Sequence, residues 1–357
     1  MIRVVAAEAS PLTFRLREGY RIAGHHFTTA SMVLLRVTTS DGRTGYGCAA
    51  PFEEVTGESP AAALAALTDV LLPLARAADA ADETALLDRA AAAAPGAPAA
   101  RAALDMALHD LRARRAGVPL YRCLGAARGR ILTSVTLGIE DDVAAAVERG
   151  RRWVAEGFQI LKVKIGERWE EDARLVLALR AALGTGVVLR ADANQGYDEG
   201  DAARFLRAVE PCGLELLEQP TPAGDEAALA RLGRLTGIPI MADEALRTEA
   251  DAERLSASRA ATMFNVKLMK CGGIRPGLAI ARRAAAAGLG VMVGCNDESR
   301  VAIAAGLHLA LAAPGDLRAD LDGDLDLQDD VARGGFRLRD GWLEPLEEPG
   351  LGVSVDF

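Results

Sequence analysis

The sequence predicts an α/β protein built around a parallel (β/α) barrel. Three observations carry that expectation. From about residue 130 onward, a short apolar stretch, a polar turn and an amphipathic helical stretch recur. Ionisable residues close successive apolar stretches at nearly constant intervals. No GxGxxG follows an early strand, so the competing doubly wound open sheet lacks its fingerprint.

Before the barrel, Val33, Leu35 and Val37 alternate with other residues, as in a half-buried strand, and Ser40-Asp41-Gly42 follows as a hairpin turn. Residues 60–116 are Ala-rich. Ala100, Ala103, Leu104, Ala107, Leu108 and Leu111 recur at helical spacing, with Pro98 placed to open the helix and Gly117 to end it. Such spacing points to closely packed helices rather than low complexity. The barrel strands are expected at 132–137, 159–165, 186–192, 214–218, 238–242, 262–267, 290–294 and 317–320. Helical stretches at 142–155, 170–183, 200–209, 225–235 and 275–287 separate them, giving eight β/α units. Residues after about 325 read as strands and turns returning to the N-terminal lobe. The expected division is therefore 1–125, 126–325 and 326–357.

The chain has 357 residues, which suits a barrel with an added lobe. Its formal net charge is -9 and its basic residues are scattered, which argues against nucleic acid as a partner. No apolar run is long enough to span a bilayer, and MIRVVAAEAS has no signal-peptide pattern. Cys48, Cys123, Cys212, Cys271 and Cys295 are widely spread with no CxxC, so they read as reduced thiols of a cytoplasmic protein. A homo-oligomer is expected.

In a parallel barrel, chemistry sits at the C-terminal strand ends. The second strand ends in Lys162-Val163-Lys164, and alternation places both lysines on one face. The next strands end at Asp192, Glu218, Asp243, Lys267, Glu298 and Asp320 with Asp322. Lys164, Asp192, Glu218, Asp243 and Lys267 recur at intervals of 28, 26, 25 and 24 residues, one β/α unit each. A KxK in a strand is ordinarily a solvated edge, and a lone acid after a strand is ordinarily a helix cap. The joint order is what singles these residues out.

Three carboxylates from adjacent strands form a hard oxygen site suited to Mg²⁺. A divalent ion on a substrate carboxylate stabilises the charge that develops when the neighbouring proton leaves, with Lys162 as a further partner. Lys164 and Lys267, on opposite sides of the metal, can take and return that proton and so invert the carbon. Crowding the lysines beside a cation should lower their pKa.

These motifs also carry a family resemblance. KVK (162–164), DANQG (192–196), EQP (218–220), ADE (242–244) and NVKLMKCGG (265–273) resemble the muconate-lactonizing subgroup of the enolase superfamily, as does LYRCLG (120–125). The resemblance implies a modified TIM barrel with an α+β capping domain. It implies Mg²⁺ on Asp192, Glu218 and Asp243, and acid/base lysines at Lys164 and Lys267. It also implies an enolate-stabilising Lys162, with Asn194 and Glu244 supporting the metal shell.

Asp320-Leu-Asp322-Gly is similar to the Asp-x-Asp pair with which dipeptide epimerases bind the free α-ammonium of their substrate. An acidic pair on one strand face suits a cation. Where such epimerases usually carry an apolar pair, this chain has Cys295-Asn296-Asp297-Glu298-Ser299. Asn296 and Asp297 suit a polar or cationic side chain, and His25 stands where a glutamate-selective enzyme would offer arginine. The expected activity is therefore an isomerase, an epimerase of dipeptides with non-Glu specificity. Alternatives are an N-acylamino acid racemase, or a lyase such as a hydroxyproline-type dehydratase or a cycloisomerase, with Glu298, His25 or His26 as acid. A non-catalytic binding protein would have no need of intact lysines and metal ligands together.

Overall fold

A computed structural model of the chain describes residues 1–126 and 128–356, without the side chains of Glu54 and Val55. Val4–Ile22, His25–Thr39 and Thr44–Ala49 form an antiparallel sheet. The Asp41-Gly42 turn forms as expected, with Gly42 at φ +79°. The helix Pro98–Ala116 begins at Pro98 and ends on Gly117 in the left-handed region, as its sequence signals require. It packs so tightly on Thr44–Ala49 that a Cβ on Gly47 would overlap the backbone of Ala103. This contact explains the alanines.

Eight parallel strands follow: Val135–Leu137, Ile160–Lys164, Val188–Asp192, Leu217–Glu218, Ile240–Ala242, Met263–Lys267, Gly290–Gly294 and Leu317–Asp320. Each pairs with the next in sequence order. A parallel bridge between Thr133 and Ala319 brings the eighth strand back beside the first and closes the circle. Leu161, Val163 and Ile165 point outward and are buried by the helices, while Lys162 and Lys164 are buried inside. Leu216, Met241, Met263 and Met292 form a small apolar layer within the barrel.

One expectation needs correcting. Eight strands alternate with seven outer helices, not eight, among the described residues: after Asp320 the chain leaves the barrel for the tail strands. The tail reaches the N-terminal lobe, where Leu327 bridges Leu16 and Gly350 bridges Pro119. It also packs on the barrel: Phe336–Arg339 pairs with Trp342–Pro345, which pairs with Ile131–Leu132 at the entry to the first barrel strand.

The segment Tyr20–Phe27 is the tip of the hairpin between the first two strands. Tyr20 faces Phe27 and Ile22 faces His25, so Ala23-Gly24 is a two-residue turn. Gly24 at φ +77° supplies the conformation that turn needs. The tip seats on the barrel: a Cβ on Gly196 would meet both the Gly166 carbonyl and Ala23. The last glycine of DANQG is thus required by this close approach.

Candidate active site

The barrel order converts the regular spacing into one cluster at the strand ends. Lys162, Lys164, Asp192, Glu218, Asp243, Lys267 and Asp320 are all buried there. The ammonium of Lys164 donates to Asp192 at 2.8 Å and to Asn194 at 2.9 Å. Lys267 lies 2.9 Å from Asp243. Their strands are second and sixth of eight, so the two lysines face each other across the barrel. Lys162 donates to Asp320 at 2.7 Å and lies 3.0 Å from Asp192 and 2.9 Å from Glu218.

The protein's own charges set the protonation of these groups. Burial opposes charge on Asp192, but Lys162 and Lys164 outweigh it and hold its carboxyl at about 2. Lys267 and Lys270 similarly overcome burial and hold Asp243 far below the usual carboxylate range. Glu218 goes the other way: burial and the nearby Asp192 push it up to about 8. The lysines were expected to be depressed. Burial does oppose their charge, yet the carboxylates win, holding Lys162 and Lys267 above the ordinary lysine value. A crowd of carboxylates, not of ammoniums, surrounds them in the protein alone.

That crowd also tests whether a metal fits. Among the described residues no three acidic, His or Cys side chains converge closely enough to clasp an ion as they stand. The lysine ammoniums hold the carboxylates apart. Yet Glu218 Oε2 and Asp243 Oδ2 each lie beside an ammonium without hydrogen-bond geometry, and both are buried without a partner. Two carboxylate oxygens held only by ion pairs, and a Glu218 carboxyl pushed up by burial and its acidic neighbours, are what a hard dication relieves. Asp192, Glu218 and Asp243 therefore fit Mg²⁺, and the ammonium of Lys162 is the group that would yield room. Asn194 reaches Glu244 at 3.2 Å, which ties the third and fifth strand ends together.

A cavity of about 240 Å³ opens over the cluster and is lined by Lys162, Lys164, Lys267, Asp320, Asp322, Asn296 and Asp297. The hairpin contributes Tyr20, whose hydroxyl donates to Asp297 at 2.8 Å. Burial pushes the Asp297 carboxyl up to about 6 despite that bond. Asp322 accepts the Thr136 N–H at 2.7 Å, and burial and Asp320 push it up to about 7. Two expected contacts are not on the cavity wall. Glu298 is buried behind it, accepting the Asn296 N–H at 2.9 Å. His25 lies on the exposed edge of the hairpin, stacked on Phe27, which in turn meets Phe52 on the wall. His25 shares the hairpin face of Tyr20 and Ile22 but lies nearer the tip, outside the residues that line the cavity.

Two family descriptions match this chain: the mandelate racemase / muconate lactonizing enzyme N-terminal domain over residues 7–125, and the enolase C-terminal domain-like family over residues 144–357. The chain belongs to the enolase superfamily. Its relatives within the superfamily include an L-Lys-D/L-Arg epimerase of Methylococcus capsulatus, 44% identical over 95% of this chain and 96% of that one. An L-Ala-D/L-Glu epimerase of Bacillus subtilis is 34% identical over 99% of this chain and 97% of that one. A crystal structure of the Methylococcus capsulatus dipeptide epimerase with Mg and the dipeptide L-Arg-D-Lys superposes with a TM-score of 0.93. At 42% identity it covers 98% of this chain and 99% of that one. The expected superfamily, barrel fold and isomerase class all agree with these relatives.

Sequence reasoning missed several parts of this superfamily site. Lys270 is buried and donates to the Asp243 side chain and backbone and to the Asn265 carbonyl. Asn265 donates to Glu218 at 2.5 Å. Both lie in NVKLMKCGG, and the second lysine of that string was the available signal. Tyr20 carried no signal, because only the hairpin register brings it to the cavity.

Proposed function

We propose that this chain is a Mg²⁺-dependent epimerase of dipeptides carrying a polar or cationic side chain, acting in the cytoplasm as a homo-oligomer. Mg²⁺ held by Asp192, Glu218 and Asp243 would supply positive charge beside the substrate carboxylate, offsetting the charge that develops as the α-proton leaves. Lys164 and Lys267 serve the two faces of that carbon, each side-chain nitrogen aimed by the carboxylate or amide beside it. One lysine, as the neutral amine, takes the proton and the other, as the ammonium, returns one, so configuration inverts and the two lysines exchange protonation states. Lys162 adds a donor near the substrate carboxylate. Asn296 and Asp297 line the space for the side chain of the residue inverted.

The observation that supports a dipeptide over an acylated amino acid is the pair Asp320 and Asp322 on the cavity wall. A buried and a half-buried acid side by side favour a cation between them, and a free α-ammonium is one. The test compares the free and N-acetylated forms of L-Lys-L-Arg, followed by deuterium uptake at the arginine α-carbon. N-acetylation removes the ammonium and should lower kcat/KM about a hundredfold, the loss of about 3 kcal/mol. Equal efficiency would refute the dipeptide reading and favour an N-acylamino acid racemase.

A further inference from the structure

Beneath the mouth of the barrel lies a buried cation that the reaction does not use. Arg190 stands two residues before Asp192 on the third barrel strand, with its guanidinium inside the barrel and 1% of its surface exposed. Its Nε donates to Glu215 at 2.6 Å, and its Nη1 donates to the Ala319 carbonyl at 2.8 Å. The same Nη1 lies 3.6 Å from the Met292 sulfur and donates to the Ser134 hydroxyl at 3.2 Å. Ser134 is fully buried, and its hydroxyl lies 2.6 Å from Asp320 Oδ1.

The direction of this chain is fixed by donor count. A guanidinium can only donate, and a serine hydroxyl has one proton. With Arg190 donating to its oxygen, Ser134 has its proton left for Asp320. Lys162 donates to the other oxygen, Asp320 Oδ2. Asp320 is thereby oriented as an acceptor at both oxygens, and each keeps a lone pair for a further donor.

We infer that Arg190 is a positioning residue: through Ser134 it holds Asp320 in the orientation that receives the substrate ammonium. The inference rests on the reading that Asp320 and Asp322 bind that ammonium. A purely structural role, as partner of Glu215 and the Ala319 carbonyl, would leave substrate discrimination alone.

The experiment measures kcat/KM for L-Lys-L-Arg and for its N-acetylated form in wild type, Ser134→Ala, Arg190→Met and the double variant. The ratio of the two efficiencies cancels the fraction of correctly folded enzyme, so partial misfolding does not blur it. Ser134→Ala should lower the ratio about tenfold, mainly through KM of the free dipeptide, as loss of one bond to a charged group implies. Arg190→Met should lower it by a similar factor, and the double variant by about tenfold rather than a hundredfold, because both act through one bond. A ratio unmoved in Ser134→Ala, or losses that multiply in the double variant, would overturn the inference. A ratio unmoved in Arg190→Met while Ser134→Ala lowers it would overturn the inference as well; should Arg190→Met fail to fold, Arg190→Lys, which keeps the buried charge but loses the fixed fork that reaches Ser134 and the Ala319 carbonyl together, is read by the same criterion. A wild-type ratio near one would instead overturn the dipeptide reading, and this inference with it.

Discussion

Replacing Asp297 by Asn separates recognition from stability at a single atom. Asn is nearly isosteric, and its amide oxygen can still accept the Tyr20 hydroxyl, which Asp297 accepts at 2.8 Å. What is lost is charge. If Asp297 receives the cationic side chain of the inverted residue, the loss is about 1.5–3 kcal/mol, or about ten- to hundredfold in kcat/KM for L-Lys-L-Arg. L-Lys-L-Leu, with no cation at that position, should lose less than about threefold by the same reasoning. Stability should move the other way. Burial first, with Asp326 nearby, lifts the Asp297 carboxyl from 3.8 to about 6. An acid whose pKa is raised on folding holds its proton more tightly folded than unfolded. Its charge therefore costs nothing below about pH 4, costs progressively more between about 4 and 6, and costs the full amount above. Water still reaches this half-buried group, so that amount is on the order of 1–2 kcal/mol. Asp297→Asn should thus raise Tm at pH 8 and leave it unchanged at pH 4, measured by calorimetry beside the kinetics. Equal kinetic losses for both dipeptides, or no gain in Tm at pH 8, would refute the reasoning.

The metal site and the two lysines make further predictions. Asp192→Ala, Glu218→Ala or Asp243→Ala should each abolish Mg²⁺ binding, read by isothermal titration calorimetry, while circular dichroism still reports a folded barrel. EDTA should stop α-proton exchange and Mg²⁺ should restore it; exchange that survives EDTA undiminished would remove the metal from the reading. Lys164→Ala and Lys267→Ala should each block exchange from one α-configuration far more than from the other, with opposite preference. Equal residual exchange from both configurations in both variants would rule out two opposed bases.

The barrel was legible because its period is written twice, once in the apolar strands and once in the ionisable residues that end them. Asp192, Glu218, Asp243 and Lys267 needed only strand order to converge, and strand order follows sequence in this fold. The helix Pro98–Ala116 was legible to the residue because proline and glycine mark both its ends. The substrate end was not. His25 and Tyr20 share one face of the hairpin, and their different distances from the Ala23-Gly24 turn, with the seating of the tip on the barrel, decide which of them lines the cavity. In sequence Glu298 reads as a strand-end acid, but the seventh strand stops at Gly294, and in the loop beyond it the Asn296 N–H bond holds Glu298 behind the wall. The lysine pKa expected beside a bound cation concerns the metal-loaded site; in the protein alone the carboxylates of Asp192, Glu218, Asp243, Glu244 and Asp320 dominate around Lys162 and Lys267, a tertiary fact that spacing does not show.

The Tyr20 hydroxyl belongs to the N-terminal sheet and the Asp297 carboxylate to the barrel, so the wall proposed to meet a substrate side chain is completed across the seam between the N-terminal sheet and the barrel. Lys164 and Lys267, proposed to move the proton, and the acids proposed to hold Mg²⁺ all lie on the barrel side of that seam. Drift in the hairpin tip can therefore re-tailor which side chain is welcomed while the chemistry is inherited unchanged. Ala23 against Gly196 sets the limit on that freedom, because a tip too bulky to seat would leave the wall open to water.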